Sequence, residues 1–108
     1  MPYPSLQDDG RIVTLDLHGA AIHEALDLAA SAVVAAARHG RQQVKLVHGH
    51  STSGGYGHSI KSALANALAA GDFSPHVTSS WQGTGYLTLS LRLGQTANRH
   101  RLTLRDVW

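Results

Sequence analysis

Asp16 and His18 stand two residues apart in the alternating segment Arg11–His18, RIVTLDLH. On a strand that spacing points both side chains to one face. A carboxylate beside an imidazole favours the protonated ring, which suits general acid–base chemistry. It equally suits two polar groups facing solvent. His48 closes a second apolar segment, Gln43–His48 (QVKLVH), and is followed by Gly49 and His50. If the two strands run side by side and parallel, His48 stands near His18 at their carboxyl ends, where open α/β sheets bind ligands. Two histidines and an aspartate there could hold a metal or act as acid and base, and the spacing does not separate these uses.

Residues 49–59 (GHSTSGGYGHS) contain only Gly, Ser, Thr, His and one Tyr. A glycine-rich turn feeding a helix presents free N–H groups and the positive end of the helix dipole to an anion. Ser51, Thr52, Ser53 and Ser59 add hydroxyl donors, and Lys61 adds charge in the first helical turn. Gly49 and Gly54 have the spacing of a nucleotide-binding P-loop, but Gly55 and Tyr56 occupy the places of its Lys and Ser/Thr. The segment is therefore not a P-loop, and nucleotide hydrolysis by that route is not expected. A last cluster, Gly83-Thr84-Gly85-Tyr86, reads as a turn that also permits close backbone approach, with Trp81 and Tyr86 beside it as packing or base-stacking residues.

The elements that must position these residues follow from apolar periodicity. In the first strand Val13, Leu15 and Leu17 form the apolar face, opposite Asp16 and His18. Helical spacing of Ile22, Leu26, Ala29 and Val33 predicts a helix from Ile22 to His39, stopped by Gly40. A second helix is expected over Ser59–Ala70, with Gly71 as terminator. The period then changes: His76–Trp81 and Tyr86–Leu93 read as a hairpin around the turn residues 82–85. The order β-α-β-α-β-β predicts an α+β, two-layer sandwich, with a four-stranded mixed sheet and two helices on one face. Residues 1–10 are expected to be a flexible lead-in, 11–94 the domain, and 95–108 a basic extension in which 101–107 could add a short edge strand.

A chain of 108 residues forms one domain. It has no cysteine, which excludes disulfides and thiolate chemistry and fits a cytoplasmic protein. The longest apolar run, 28–37, is too short to span a bilayer, so no membrane partner is expected. Net charge is +2 and unevenly spread. Residues 1–72 carry five Lys/Arg against six Asp/Glu, whereas 73–108 carry Arg92, Arg99, Arg101 and Arg105 against Asp106 alone. A basic C-terminal part can follow a phosphate backbone. Eight histidines make the charge strongly pH-dependent.

Together these segments resemble the Smr (small MutS-related) domain family. Leu15-Asp16-Leu17-His18-Gly19 with Glu24-Ala25 is similar to its LDxHG and EA pattern. Val47-His48-Gly49, the loop and Ile60–Leu64 are similar to its HGxG loop and following helix, and Gly83-Thr84-Gly85 before Leu87-Thr88-Leu89 to its last turn and strand. Ser51 stands where HGxG has its second glycine, and Gln82 where the last motif often begins with glycine. The resemblance implies a sandwich like the C-terminal domain of a bacterial translation initiation factor. It also implies nucleic-acid binding, with endonuclease activity on structured DNA or RNA. By that resemblance Asp16 would orient His18 as base or acid, and His48 would be a second proton-transfer group or help hold a divalent Mg or Mn ion. Gly49, His50, Ser51, Ser53 and Lys61 would receive the phosphate, with Gly83 and Gly85 opposite and Arg92, Arg99 and Arg101 extending the backbone contact. A monomer is expected. Ser51 and Gln82 favour the alternative, a non-catalytic nucleic-acid- or ribosome-binding module.

Overall fold

A computed structural model describes residues 5–17, 20–49, 60–73, 76–92 and 101–107. The strands are β1 (Ser5–Asp8), β2 (Ile12–Asp16), β3 (Gln43–Val47), β4 (Val77–Gly83) and β5 (Tyr86–Leu91). The helices are α1 (Ile22–Arg38), α2 (Ile60–Ala69) and α3 (Leu104–Val107). They build one mixed sheet in the order β1-β2-β3-β5-β4. β2 and β3 are parallel, joined through α1, and the other neighbours are antiparallel. The α+β sandwich is therefore as expected, with five strands in place of four and a third short helix among the described residues.

Alternation sorts the sheet into two faces. Val13, Leu15, Val44, Leu46, Leu87, Leu89 and Leu91 are buried on one face, against the α1 residues Ala25, Leu28, Ala29, Ala32, Val33 and Ala36. Four alanines among those six keep the helix close to the sheet. Gly40, at φ +73°, ends α1 in a conformation that a side chain would strain. There the Arg41 N–H bonds the Ala36 carbonyl at 2.9 Å and the Gly40 N–H bonds that of Ala37 at 3.2 Å, a Schellman cap. α2 ends in the same way at Gly71, with Asp72 bonded to Ala67 and Gly71 to Leu68. No helix among the described residues is long and apolar enough to cross a membrane.

Two expectations are corrected at the chain ends. Ser5–Asp8 lies within the expected lead-in yet pairs with β2 along its length. The turn between them is set by Asp9, whose Oδ1 accepts the N–H groups of Ile12 and Arg11, each at 2.8 Å. Those bonds hold the Asp9 carboxyl below its usual range. Residues 101–107 of the expected basic extension are likewise part of the fold. Residues 104–107 are helical rather than an edge strand, and Leu102 and Val107 are buried in the core.

One buried ion pair ties these ends together. The Arg41 guanidinium donates from Nε to both Asp8 oxygens, at 2.9 and 3.1 Å, and from Nη2 to Oδ2 at 3.0 Å. Both side chains are fully shielded from solvent. The Asp8 carboxylate also accepts the N–H of Gly10 at 2.8 Å and that of Leu102 at 2.7 Å, while Arg41 Nη1 donates to the His39 carbonyl at 2.7 Å. Burial alone would push the Asp8 carboxyl up. The hydrogen bonds from Arg41, Leu102 and Gly10, with the Arg41 charge, outweigh it and hold the group below its usual range.

Removing either partner leaves a buried charge uncompensated. Asp8→Asn or Arg41→Met is expected to cost roughly 3–5 kcal/mol in urea denaturation, and replacing both by apolar residues much less than the sum. Because the folded-state pKa of Asp8 is depressed, its contribution is full above the unfolded value of about 3.9 and is lost as pH falls through the folded value. Denaturation midpoints measured downward from pH 5 should therefore fall less steeply in Asp8→Asn than in the wild type.

Candidate functional site

The carboxyl ends of β2 and β3 meet the β4–β5 turn. The Leu17 N–H bonds the Val47 carbonyl at 2.7 Å, continuing the parallel ladder past Asp16. The N–H groups of His48 and Gly49 both bond the Gly85 carbonyl, at 2.9 and 3.0 Å. The three segments singled out in the sequence thus converge at one end of the sheet. The turn is tighter than expected: Gln82 and Gly83 pair with Leu87 and Tyr86, leaving only Thr84 and Gly85 between the strands.

His48 continues the inward alternation of Val44 and Leu46 and is only 9% exposed. Its Nε2 lies 2.7 Å from Gln82 Nε2, which also lies 2.7 Å from the Tyr86 carbonyl and 3.2 Å from that of Gly83. An atom facing backbone carbonyls must be the amide NH₂, so His48 Nε2 is the acceptor. The ring proton then sits on Nδ1 and is donated to the Gly49 carbonyl at 2.8 Å. Both ring nitrogens are engaged. Accepting a proton at Nε2 requires Gln82 to turn away, which its exposed position on the edge strand β4 permits.

Asp16 lies on the other face of the sheet, with Ile12 and Thr14 and opposite Val13 and Leu15. Its register partner is Val47, so Asp16 and His48 flank the same strand ends from opposite sides. Among the described residues no group of three His, Cys, Asp or Glu side chains converges as a metal would require. His18, His50, Ser51, Ser53 and Arg99 lie outside the described residues. Lys61 falls in the first turn of α2.

Of the remaining candidates, Gly83 is at this end and covered, and two arginines lie away from it. Gly83 lies beneath the Tyr86 ring, which occupies the place a Cβ would need. Arg92 follows β5 at the end away from the Thr84–Gly85 turn, and the Arg101 guanidinium packs on Gly10 of the β1–β2 turn. Neither arginine is brought to His48. Gln82 was visible only as a departure from a glycine; its bond to His48 depends on a hairpin register that the four-residue turn reading did not contain. Lys45, 4.2 Å from the centre of the Tyr86 ring, was also missed, although its alternation with Val44 and Leu46 gave its direction. A cavity of about 320 Å³ lies between α1 and α3, lined by His23, Glu24, Asp27, Leu28, Ser31 and Val107; it is built by helices rather than by the strand ends.

The family model of the Smr domain matches residues 15–88. The fold is similar to the crystal structure of the Smr domain of Thermus thermophilus MutS2, with a TM-score of 0.60 and 25% sequence identity. That match covers 73% of this chain and 96% of the other. No curated protein matches the chain.

Since the Tyr86 ring fills the space over Gly83, Gly83→Ala must displace it and separate it from Lys45. The expected loss is about 1–3 kcal/mol in urea denaturation. In a Tyr86→Ala background the same substitution should cost much less, which a double-mutant cycle measures.

Proposed function

The chain belongs to the Smr domain family, a family of nucleic-acid-binding domains some of which are nucleases, and from that membership we propose that it cuts phosphodiester bonds in structured DNA or RNA. The observation that carries the reading is the meeting of the Asp16 strand end, His48-Gly49 and the Gly85 carbonyl at one end of the sheet. In this reading His18 removes the proton from the attacking water or 2′-hydroxyl, and Asp16 favours and orients the charged ring. His48 accepts or returns a second proton at Nε2 once Gln82 releases it. Gly49, His50, Ser51, Ser53 and Lys61 receive the phosphate, with Gly83 and Gly85 opposite; Arg92, Arg99 and Arg101 hold more distant phosphates. A divalent Mg or Mn ion would lower the cost of charge developing on the phosphate oxygens. The described donors, with Asp16 and His48 on opposite faces, do not fit such an ion by themselves.

A second reading, a binding module without catalysis, is favoured by one feature: Gln82 occupies the His48 nitrogen that proton transfer needs. The two readings separate in one assay: nicking of supercoiled plasmid and cleavage of branched DNA and RNA, with and without EDTA. The nuclease reading expects His18→Ala and His48→Ala each to lower the rate by roughly 10²–10⁴-fold, and Gln82→Gly to raise it. Equal rates for the wild type and His18→Ala remove that histidine from the mechanism. Salt-sensitive binding with no cleavage by the wild type or Gln82→Gly establishes the binding module.

A further inference from the structure

The sheet face opposite the helices carries an array that shares only Asp16 and Gly83 with the strand-end site. Register across the sheet aligns Gln7, Thr14, Lys45, Thr88 and Trp81 in one row, and Ser5, Asp16, Val47, Tyr86 and Gly83 in the next. A third row brings Ile12, Gln43, Ser90 and Ser79 together. Those on β2, β3 and β5 alternate with core residues and so point away from α1, and those on β1 and β4 share that face by register. Hydroxyl and amide groups fill most of these positions, and no described helix packs on them.

Trp81 is 49% exposed, the most exposed of the described large hydrophobic residues. A single exposed apolar residue is ordinary on a protein surface. This one stands beside Thr88 and, one strand further, Lys45, whose ammonium lies over the Tyr86 ring. Gly83, two residues on from Trp81 in β4, leaves the room that ring occupies. Trp81 is the open aromatic face, and Lys45, held over the Tyr86 ring, is the cation near it; an open ring with a cation beside it makes a stacking surface for a nucleobase. Charge agrees with an anionic occupant. Lys45 is central, and the exposed Arg92 comes next in the alternation of Tyr86, Thr88 and Ser90. The acidic side chain in these rows is Asp16, on β2, three strands from Trp81.

We propose that this face binds an unpaired nucleic-acid strand, with a base stacked on Trp81 and the backbone led past Lys45 toward Asp16. Trp81 and Asp16 are three strand spacings apart, roughly 15 Å, which a few nucleotides span. The inference rests on the family's nucleic-acid binding and supplies the form of the ligand: a single strand or frayed segment rather than an intact duplex, whose base faces are hidden. Stacking uses the face common to DNA and RNA bases, so this surface does not select between the two sugars.

The test is anisotropy titration of the full chain with labelled oligo(dT), oligo(U) and a blunt duplex of equal length, run beside the cleavage assay. Oligo(dT) and oligo(U) should bind within a few-fold of each other and more tightly than the duplex. Trp81→Ala should weaken single-strand binding roughly 5- to 100-fold, with Trp81→Phe retaining most of it. Lys45→Ala should lower the slope of log affinity against log salt by about 0.7. Thermal melts by circular dichroism confirm that the variants are folded. Single-strand affinity unchanged in Trp81→Ala, or a wild type that prefers the duplex or binds no single strand, overturns the inference. Cleavage by a wild type that ignores single strands sinks this inference and leaves the nuclease reading standing. Trp81-dependent binding without cleavage sinks the nuclease reading and sustains this one.

Discussion

The Asp8–Arg41 ion pair is the constraint on which the sheet's first edge depends. A guanidinium shielded from water is tolerable only when its charge is matched and its donors are engaged; here Asp8 matches the charge and accepts from Nε and Nη2, and the His39 carbonyl accepts from Nη1. The pair needs three distant pieces of chain to be correct at once. The α1 cap delivers Arg41, the Asp9–Gly10 turn delivers Asp8, and the segment before α3 supplies the Leu102 N–H. In return it holds β1 beside β2 and α3 beside α1. A polar contact thus fixes the position of elements whose apolar burial is small.

Most of the sandwich was legible because its signals are local. Alternation in RIVTLDLH and QVKLVH gives the inward faces of β2 and β3, and Gly40 and Gly71 mark the ends of both long helices. β1 was not read because SLQD carries a single large apolar residue, Leu6, which half-buries against the core. The Asp-Gly turn after it is a hairpin signal, but it can be believed only when a partner strand is recognisable on both sides. α3 was missed for the same reason: four residues have no helical period, and their place is set by contact with α1 and by a bond to Asp8.

At the candidate site the sequence located residues better than it located side chains. Strand alternation places Asp16 outward, and the same rule places His48 inward, since their register partners differ by one residue. Adjacent strand ends therefore offer two chemistries on two sides of a sheet. The outward side holds the carboxylate with the Lys45, Tyr86 and Trp81 array. The inward side holds an imidazole whose nitrogens are both bonded, and Gln82, which reads as a mere loss of glycine, governs that state from the edge strand.

The clasp between Asp8 and the Leu102 amide joins positions 94 residues apart. Contacts of such separation carry the larger loop-closure entropy and are expected to form after the nearer pairings of β2, α1 and β3. An interaction absent from the transition state governs the rate of escape from the native state, not the rate of arrival. The clasp therefore acts as a kinetic latch: it lengthens the lifetime of the folded chain while leaving its speed of folding to the central β-α-β unit.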